Sequence, residues 1–579
     1  MSSDNLKSDD RLKKVLTRRE LTYLSLGGII GSGWLFAPLA AAAYAGYYSI
    51  FSWIIGGIMM ILIALSYAEV SSMLPKSGGI IRYPHYTHGR IVGFFMFWTY
   101  LISAISTVSI EAVATTTYLS HFFPSLYSSG NLTMEGILVT YILLVLFFFA
   151  NYFGVKGLGR ISHGIGWWKL IIPSLTALIL FAFFNYTNFS LPVSNAINGT
   201  LYAIPASGIV FSYLGFRQAI EYGGEGKNPQ KDIPFAIISS LVISMIIFTV
   251  LEIGFIGALN WSAIGIQPGN WNSLITSSIS NSPILSIFKI HSSSLLLALD
   301  IWISILVFDS IISPAGTGII YTGTSVRTLF GSSNNGYLPK IFSEVNKRGI
   351  PFISLIISVI GAAIFLLPIP SWYSIVNISS SATVLTYIMG GIGLHSFRKN
   401  YPNLKRVYSL SNWKIISPLS TIMAGLLVYW SGFSTLFYII VIGFIGLSIY
   451  LVFYSKYPIM NVISMFAILI SSILFYNATS SLSIGNNLAF LLFILLFTGF
   501  AILELLFLKI DKNEIRATYW LVPFLSSMLL LSYLGPFGLN DLIPFPYDIP
   551  IVSVVILVFH YLAVKNSIPN LIEEKLEAE

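Results

Sequence analysis

Five charged residues interrupt long apolar runs of this chain: Glu69, Glu111, Lys169, Arg217 and Asp309. Ionisable groups at membrane depth are expensive and are functional candidates by default. Lys169 stands about eight residues into its run, roughly 12 Å at 1.5 Å per residue. Its stem can snorkel to an interface, with Trp167 and Trp168 as belt aromatics, or its desolvated amine can gain and lose a proton. Arg217 stays charged and can clamp a carboxylate bidentately. Glu221, four residues on, is the bland partner for a helical ion pair. An Arg217 free of that pair would read an acidic side chain, so aspartate or glutamate is one candidate cargo and a neutral amino acid the other. Asp309 and Glu111 suit pairing with Lys169 or Arg217, or proton relay. Glu69, near the inner end of its run, suits a gate.

Two glycine-broken helices would position these groups. GGIIGSGWLF (Gly27 to Phe36) and SGIVFSYLGF (Ser207 to Phe216) lie about 180 residues apart. In lipid a helix loses its hydrogen-bond ladder only where the freed groups face protein, water or ligand. Matched interruptions in two halves point to a transporter's midplane site. Unwinding exposes N–H groups and a positive dipole end on one side and carbonyls on the other. That pair of ends suits a zwitterion such as an α-amino acid. Gly31, Ser32 and Gly33 fit the role because glycine permits close backbone approach and serine adds a donor. Small residues also serve plain helix packing; the matched placement favours binding.

Composition bounds the class. Of 579 residues 55% are hydrophobic and 9% charged, with a mean hydropathy of +0.80, against roughly 25% charged residues in soluble domains. Apolar runs long enough to cross a bilayer recur along the chain. The polar start carries Lys7, Arg11, Lys13, Lys14, Arg18 and Arg19, and the first apolar run is too long for a cleavable signal. The net charge of +8 does not indicate nucleic acid. With the basic tail inside, only Lys289 among the 31 Lys and Arg falls in an outer loop. Lys169 and Arg217 fall in spans, and the rest lie inside or at inner helix ends, the positive-inside asymmetry. Asn-x-Ser/Thr sequons at Asn131, Asn188, Asn198, Asn260 and Asn477 fall in or beside outer segments. The absence of cysteine excludes disulfides, thiolate metal sites and cysteine catalysis.

The pattern predicts an all-α polytopic membrane protein of about sixteen spans. A tail (1–20) precedes a first five-helix set within 21–186, with spans at 21–46, 48–73, 91–121, 134–153 and 161–186. A second set within 200–397 has spans at 201–223, 234–259, 294–328, 350–368 and 371–397. Spans 415–432 and 434–454 follow, then four more within 460–565 (460–476, 487–508, 518–534 and 549–565), and an inner tail at 566–579. The basic loop from Arg398 to Lys414 separates the first ten spans from the rest. The outer loop near 260–293, with Trp261 and Trp271, either covers the outer mouth or is an ordinary surface loop.

Four ordered motifs resemble the amino acid–polyamine–organocation permeases. IIGSGWLFAP (Ile29 to Pro38) is similar to their first helix, and PKSGGIIRYPHYTHGRIVGF (Pro75 to Phe94), following Glu69, to their second-to-third-helix loop. Phe211 to Gly215 with GEGKNPQKDIPFAI (Gly224 to Ile237) resembles the sixth helix and beyond, and SVRTLFGSSNNGYLPKIF (Ser325 to Phe342) the segment after the eighth. The resemblance spans roughly residues 20–455. It implies a five-plus-five inverted repeat, amino-acid transport and alternating access around helices 1 and 6, as in the related fold. By position, it implies that Gly31, Ser32 and Gly33 hold the substrate carboxylate. Ile29, Ile30, Phe211, Ser212 and Leu214 would receive the ammonium, and Phe211 would be the outer gate. Leu214–Gly215 stands where many members have Gly–Gly. Lys169, thirteen residues after Lys156, matches the fifth-helix lysine of sodium-independent members, which implies proton coupling, with Asp309 as a relay candidate. The resemblance points, less strongly, to the aspartate/glutamate-transporting branch. The four last spans exceed the family's usual twelve.

GEGKNP imitates a phosphate loop, but Asn228 and Pro229 follow the lysine where Ser or Thr is needed. His85 and His88 lack the companions of a metal site, and no catalytic constellation is present. The reading is therefore a carrier without cofactor or metal, not an enzyme, taking an amino acid and protons across the cell membrane with both termini inside. Exchange is the alternative to symport. A respiratory proton-translocating subunit or a non-transporting channel or receptor are further rivals.

Overall fold

The chain is described by a computed structural model covering residues 12–128, 130–153, 155–194, 196–292, 297–367, 372–569 and 571, with the backbone alone at 155–165 and 374. Lys7, Arg11, the side chain of Lys156 and most of the C-terminal tail lie outside the described residues.

Helices dominate, as low charge and long apolar runs require. In chain order they are α1 (Arg18–Ile29), α2 (Gly33–Ala45), α3 (Ser49–Met73), α4 (Gly79–Leu119), α5 (Met134–Tyr152), α6 (Val155–Leu180), α7 (Ala196–Ala206), α8 (Ile209–Tyr213), α9 (Gln218–Glu221) and α10 (Pro229–Gly257). Then come α11 (Trp261–Ile264), α12 (Pro283–His291), α13 (Leu297–Asn334), α14 (Phe352–Ile364), α15 (Trp372–Asn400), α16 (Trp413–Trp430) and α17 (Phe433–Val452). The C-terminal part adds α18 (Pro458–Ala478), α19 (Asn487–Leu506), α20 (Lys512–Arg516), α21 (Leu521–Leu534) and α22 (Asp548–Asn566). One two-residue hairpin, Tyr127–Ser128 against Asn131–Leu132, joins α4 to α5.

Among the described residues twelve helices are long and apolar enough to cross a membrane, or thirteen if the bent pair formed by 196–206 and 209–221 counts as one span. The protein is a multi-pass membrane protein. Its outward faces agree: Leu488, Leu491, Leu492 and Leu495 on α19, and Ile463, Phe466 and Ile470 on α18, are exposed, as lipid contact demands.

The backbone leaves α-helical geometry at Ile30–Ser32 between α1 and α2, and at Ser207–Gly208 between α7 and α8. Gly208 takes φ +96°, a left-handed conformation that glycine adopts freely. Beyond Tyr213 the chain tightens into a 3-10 turn over Leu214–Arg217 before α9. The segment before position 91, expected as a loop, is instead helical from Gly79. Ile80, Ile81, Tyr83 and Tyr86 are buried along it, and Gly89, at φ +77° and ψ −159°, kinks it away from the span that follows. Apolar burial overrides the turn residues that suggested a loop.

The segment after α10 packs over the end of α2. Trp271 stands edge-on to Trp261 at 4.9 Å and donates to Pro192 O at 3.0 Å. Asn188, one of the sequon residues, is buried; its amide donates to Ile256 O and Leu259 O and accepts from Trp261. That sequon is structural.

Candidate functional site

The two interrupted segments touch. A Cβ on Gly215 would strike the backbone of Gly28 and Ile29, and one on Gly33 would strike Ser212 Oγ, so glycine alone permits both approaches.

Charge is matched to each freed helix end. At the carbonyl end of α1, Lys169 Nζ donates to Gly27 O at 2.8 Å and to Thr317 Oγ1 at 2.5 Å. Thr317 Oγ1 in turn donates to Gly27 O at 2.7 Å, and Ser313 Oγ to Ile30 O at 3.1 Å. At the amide end of α2, Ser32 N–H donates to Glu111 Oε2 at 2.9 Å. An ammonium thus faces the negative dipole end and a carboxylate the positive one. The Ile29 carbonyl accepts from Gly31 N–H at 3.1 Å. The Ser32 N–H at the centre of the Gly31–Ser32–Gly33 segment is therefore already taken by a side-chain carboxyl group of the protein itself.

Aromatic rings close the other side. Trp372 Nε1–H donates to Ser32 Oγ at 2.7 Å. Its ring stacks on Phe36 with centroids 4.8 Å apart and meets Phe211 edge-on at 6.0 Å. Ser32, Phe211, Ser212, Leu214 and Trp372 are all buried.

Arg217 lies where α4, α13 and α15 converge on the 3-10 turn. Its guanidinium sits over Tyr100 at 4.6 Å and Tyr321 at 5.1 Å, and Nη1 donates to Thr383 Oγ1 at 2.8 Å. Nε and Nη2 are buried with no hydrogen-bond partner. Glu221 makes no direct contact with Arg217: its Oε1 accepts from Tyr100 OH at 2.8 Å, and it stays within electrostatic reach of the guanidinium. Asp309 pairs with neither Lys169 nor Arg217 by direct contact. It accepts from Trp168 Nε1–H at 2.6 Å and stays within electrostatic reach of Lys169, as does Glu111. Glu69 lies apart from the centre and joins Arg398 at 2.6 Å and Arg406 at 3.2 Å.

Three features escape sequence reasoning. The hydroxyl of Thr317 bridges Lys169 to the first break. Trp372 caps Ser32 from 340 residues away. Arg327 grips Glu225 through Nε at 2.8 Å and Nη2 at 2.9 Å and lies 3.6 Å over the Tyr222 ring. The last pair was signalled only by charges inside two of the quoted motifs.

Fold and site together define a multi-pass membrane protein with an occluded polar centre between two interrupted helices. A family model described as amino acid permease matches residues 16–454. The chain is 33% identical over 562 residues to the glutamate/serine transporter AimA of Bacillus subtilis (strain 168), covering 94% of this chain and 92% of that one. It is 32% identical over 573 residues to the aspartate-proton symporter of the same organism, covering 96% and 97%. The branched-chain amino acid permease BcaP, also of Bacillus subtilis (strain 168), is 23% identical over 78% of this chain and 95% of its own length. The chain belongs to the amino acid permease family.

Proposed function

We propose that the protein is a proton-coupled permease for amino acids with an acidic side chain, working by alternating access around the two interrupted segments. The observation that carries this reading is Arg217: a buried guanidinium whose Nε and Nη2 make no hydrogen bond and which, among the described residues, has no carboxylate in direct contact, Glu221 standing only within electrostatic reach. An unpaired buried charge is costly, and a substrate carboxylate would relieve it bidentately. The names of two extensively matched relatives, a glutamate/serine transporter and an aspartate-proton symporter, each include an acidic amino acid, the first beside the neutral serine.

In this scheme the substrate's α-carboxylate takes the Gly31–Ser32–Gly33 amides, displacing Glu111 from the Ser32 N–H. Its ammonium meets the carbonyls of Ile29, Ile30, Phe211, Ser212 or Leu214 across Gly215. Glu111, displaced from the helix end, takes up the co-transported proton, and Lys169 with Asp309 passes or balances it. Phe211 with Trp372 gates the outer side. Glu69 with its arginines, and Arg327 with Glu225, gate the inner. The five-plus-five inverted repeat and sixteen crossings are part of the proposal. They follow when α1 and α2, and α7 to α9, each make one crossing, and when the short helix α14 and helix α16 span as well. The asymmetry of basic residues puts both termini in the cytoplasm and the protein in the cell membrane.

Uptake of labelled glutamate into empty proteoliposomes under an imposed pH gradient tests the scheme. Accumulation without internal amino acid, competed by acidic and not by neutral amino acids, is expected. Arg217→Gln should lower apparent glutamate affinity roughly ten- to hundred-fold, the equivalent of one charged hydrogen bond of about 1.5–3 kcal/mol. Neutral competitors should be affected less. Uptake only from vesicles preloaded with amino acid would make the protein an exchanger, and equal competition by neutral amino acids would remove the acidic cargo.

A further inference from the structure

The inner ends of three helices from distant parts of the chain enclose a basic cleft that the transport scheme leaves unused. Lys399 and Asn400 end α15, Asn513 and Arg516 lie on α20, and Lys565 and Asn566 end α22. Together they line a cavity of about 240 Å³.

The lining is built in place. Lys399 Nζ donates to Val564 O at 2.9 Å and Lys565 O at 3.4 Å, the carbonyl end of α22. Asn400 Nδ2 donates to Ser567 Oγ at 3.0 Å, and Arg516 Nε donates to Asn566 Oδ1 at 3.4 Å. That last bond engages Nε of the guanidinium. No acidic residue lines it. Two acidic residues stand beside the lining: Asp511 accepts the Asn513 backbone N–H at 2.6 Å, and Glu514 is turned to Arg90 at 3.6 Å and accepts the Arg90 backbone N–H. Among the described residues, three cations from separate elements share one cleft with no carboxylate in its lining. Like charges at such range repel, and a bound anion removes the penalty.

Depth narrows the chemistry. Two membrane-spanning helices end at Asn400 and Asn566, and a third begins at Lys512. The cleft therefore sits at the level of lipid headgroups. A phosphate group matches it: Arg516 offers a planar fork, and Lys399 and Lys565 act as point charges. Basic pockets between helices on the inner side are the usual receptors for anionic headgroups.

We propose that this cleft binds a phosphate group, supplied by an anionic phospholipid or by free phosphate, and that the bound group fastens α22 to the core of the permease. Further ties between the same parts support the fastening role. His88 Nε2 meets Ala563 O at 3.0 Å, and Ile568 N–H donates to Thr87 O at 2.9 Å. The cleft thus closes a seam between α4, α15 and the last helix. The inference goes beyond the transport scheme and does not depend on which amino acid is carried.

The test uses the full-length protein in neutral detergent and in vesicles of phosphatidylglycerol or phosphatidylcholine. Bound lipid is read by native mass spectrometry and stability by thermal melting. Arg516→Gln with Lys565→Gln is the primary variant, since it keeps the bond from Lys399 to the carbonyl end of α22 and gives up only the 3.4 Å bond from Arg516 to Asn566; adding Lys399→Gln gives the complete removal. Lys227→Gln, Lys340→Gln and Lys347→Gln, on exposed residues elsewhere, form the charge-matched control. Retention of phosphatidylglycerol by wild type and control, weakened at least ten-fold in the double variant, is expected and assigns the headgroup source. Saturable stabilisation by inorganic phosphate that the double variant loses, with both lipids equivalent, assigns free phosphate. If the double variant binds both probes as wild type does, or the control loses binding equally, the site is overturned.

Discussion

Lys169 is the residue on which the polar centre turns. Its ammonium is buried, and it spends its hydrogen bonds on the first broken helix and on Thr317 of α13 rather than on a carboxylate. It therefore ties three elements at a point where substrate and proton would both be felt. Lys169→Ala removes two charge-assisted bonds, which are worth about 1.5–3 kcal/mol each in buried settings. Uptake should fall at least ten-fold and lose its dependence on external pH; full pH-dependent uptake by the variant would remove Lys169 from the coupling path. Glu111→Gln gives a separate readout. The amide still reaches the Ser32 N–H through its oxygen, so substrate binding should persist while uphill accumulation driven by a pH gradient is lost. The charges at 111, 169, 217 and 309 were legible because each stands out in an apolar run. Their partners were not. Thr317 is one hydroxyl among many, and the bond from Trp372 to Ser32 joins residues 340 apart, which no local pattern encodes. Glu221 shows the opposite failure: helical spacing suggested a partner for Arg217, and the 3-10 turn at Leu214–Arg217 changes the phase of the helix before Glu221.

Element geometry explains why glycine is required at the point of contact. Gly215→Ala would drive a methyl group into the backbone of Gly28 and Ile29, which cannot yield as a flexible side chain would. The variant should reach the membrane but transport at less than a tenth of the wild-type rate in reconstituted vesicles. Gly499→Ala, on the α19 face where nothing lies within 4 Å, should leave both yield and rate unchanged. The interrupted segments were readable from Gly-Ser-Gly and from the spacing of Gly208 and Gly215, because little else suits those dihedrals and approaches. The helix at Gly79 was not, because Gly78, Gly79 and Pro84 carry turn signals that burial overrules. On the outer side, α12 is held to the end of α4 by Lys289 Nζ, 3.0 Å from His121 Nδ1. Partial burial, and then the charge of Lys289, lower the His121 pKa below its ordinary value. The folded state therefore favours neutral His121, and the contact contributes above pH of about 6.5. It is lost as pH falls and the imidazole becomes a second cation. Protection from hydrogen exchange over Pro283–His291, taken relative to the intrinsic rate at each pH, should fall from pH 7 to pH 5, and His121→Asn should flatten that dependence.

At the scale of the whole molecule the C-terminal helices are joined to the core by polar contacts, not merely laid beside it. The family model ends at residue 454, and BcaP is matched over 95% of its own length by only 78% of this chain, so a permease of this family can be built without the extra helices. Thr421 Oγ1 on α16 lies 2.8 Å from His560 Nδ1, His395 Nδ1 lies 3.1 Å from His560 Nε2, and Tyr429 OH donates to Asp548 Oδ2 at 3.1 Å. Thr421, His560 and Asp548 are all buried. Deleting residues 455–579 would leave Thr421, Tyr429 and His395 facing hydrocarbon, where each unmet polar group costs about 1–3 kcal/mol. Three such losses approach the few kcal/mol by which a domain is stable at all. The truncated chain should therefore give at least ten-fold less monodisperse protein by fluorescence-detected size-exclusion chromatography. Replacing Thr421, Tyr429 and His395 with Val, Phe and Leu in the truncated chain should recover part of that yield, because those groups leave nothing unpaired. A truncated chain that is monodisperse and transports at the wild-type rate without these replacements would show that the polar seam carries no weight in folding.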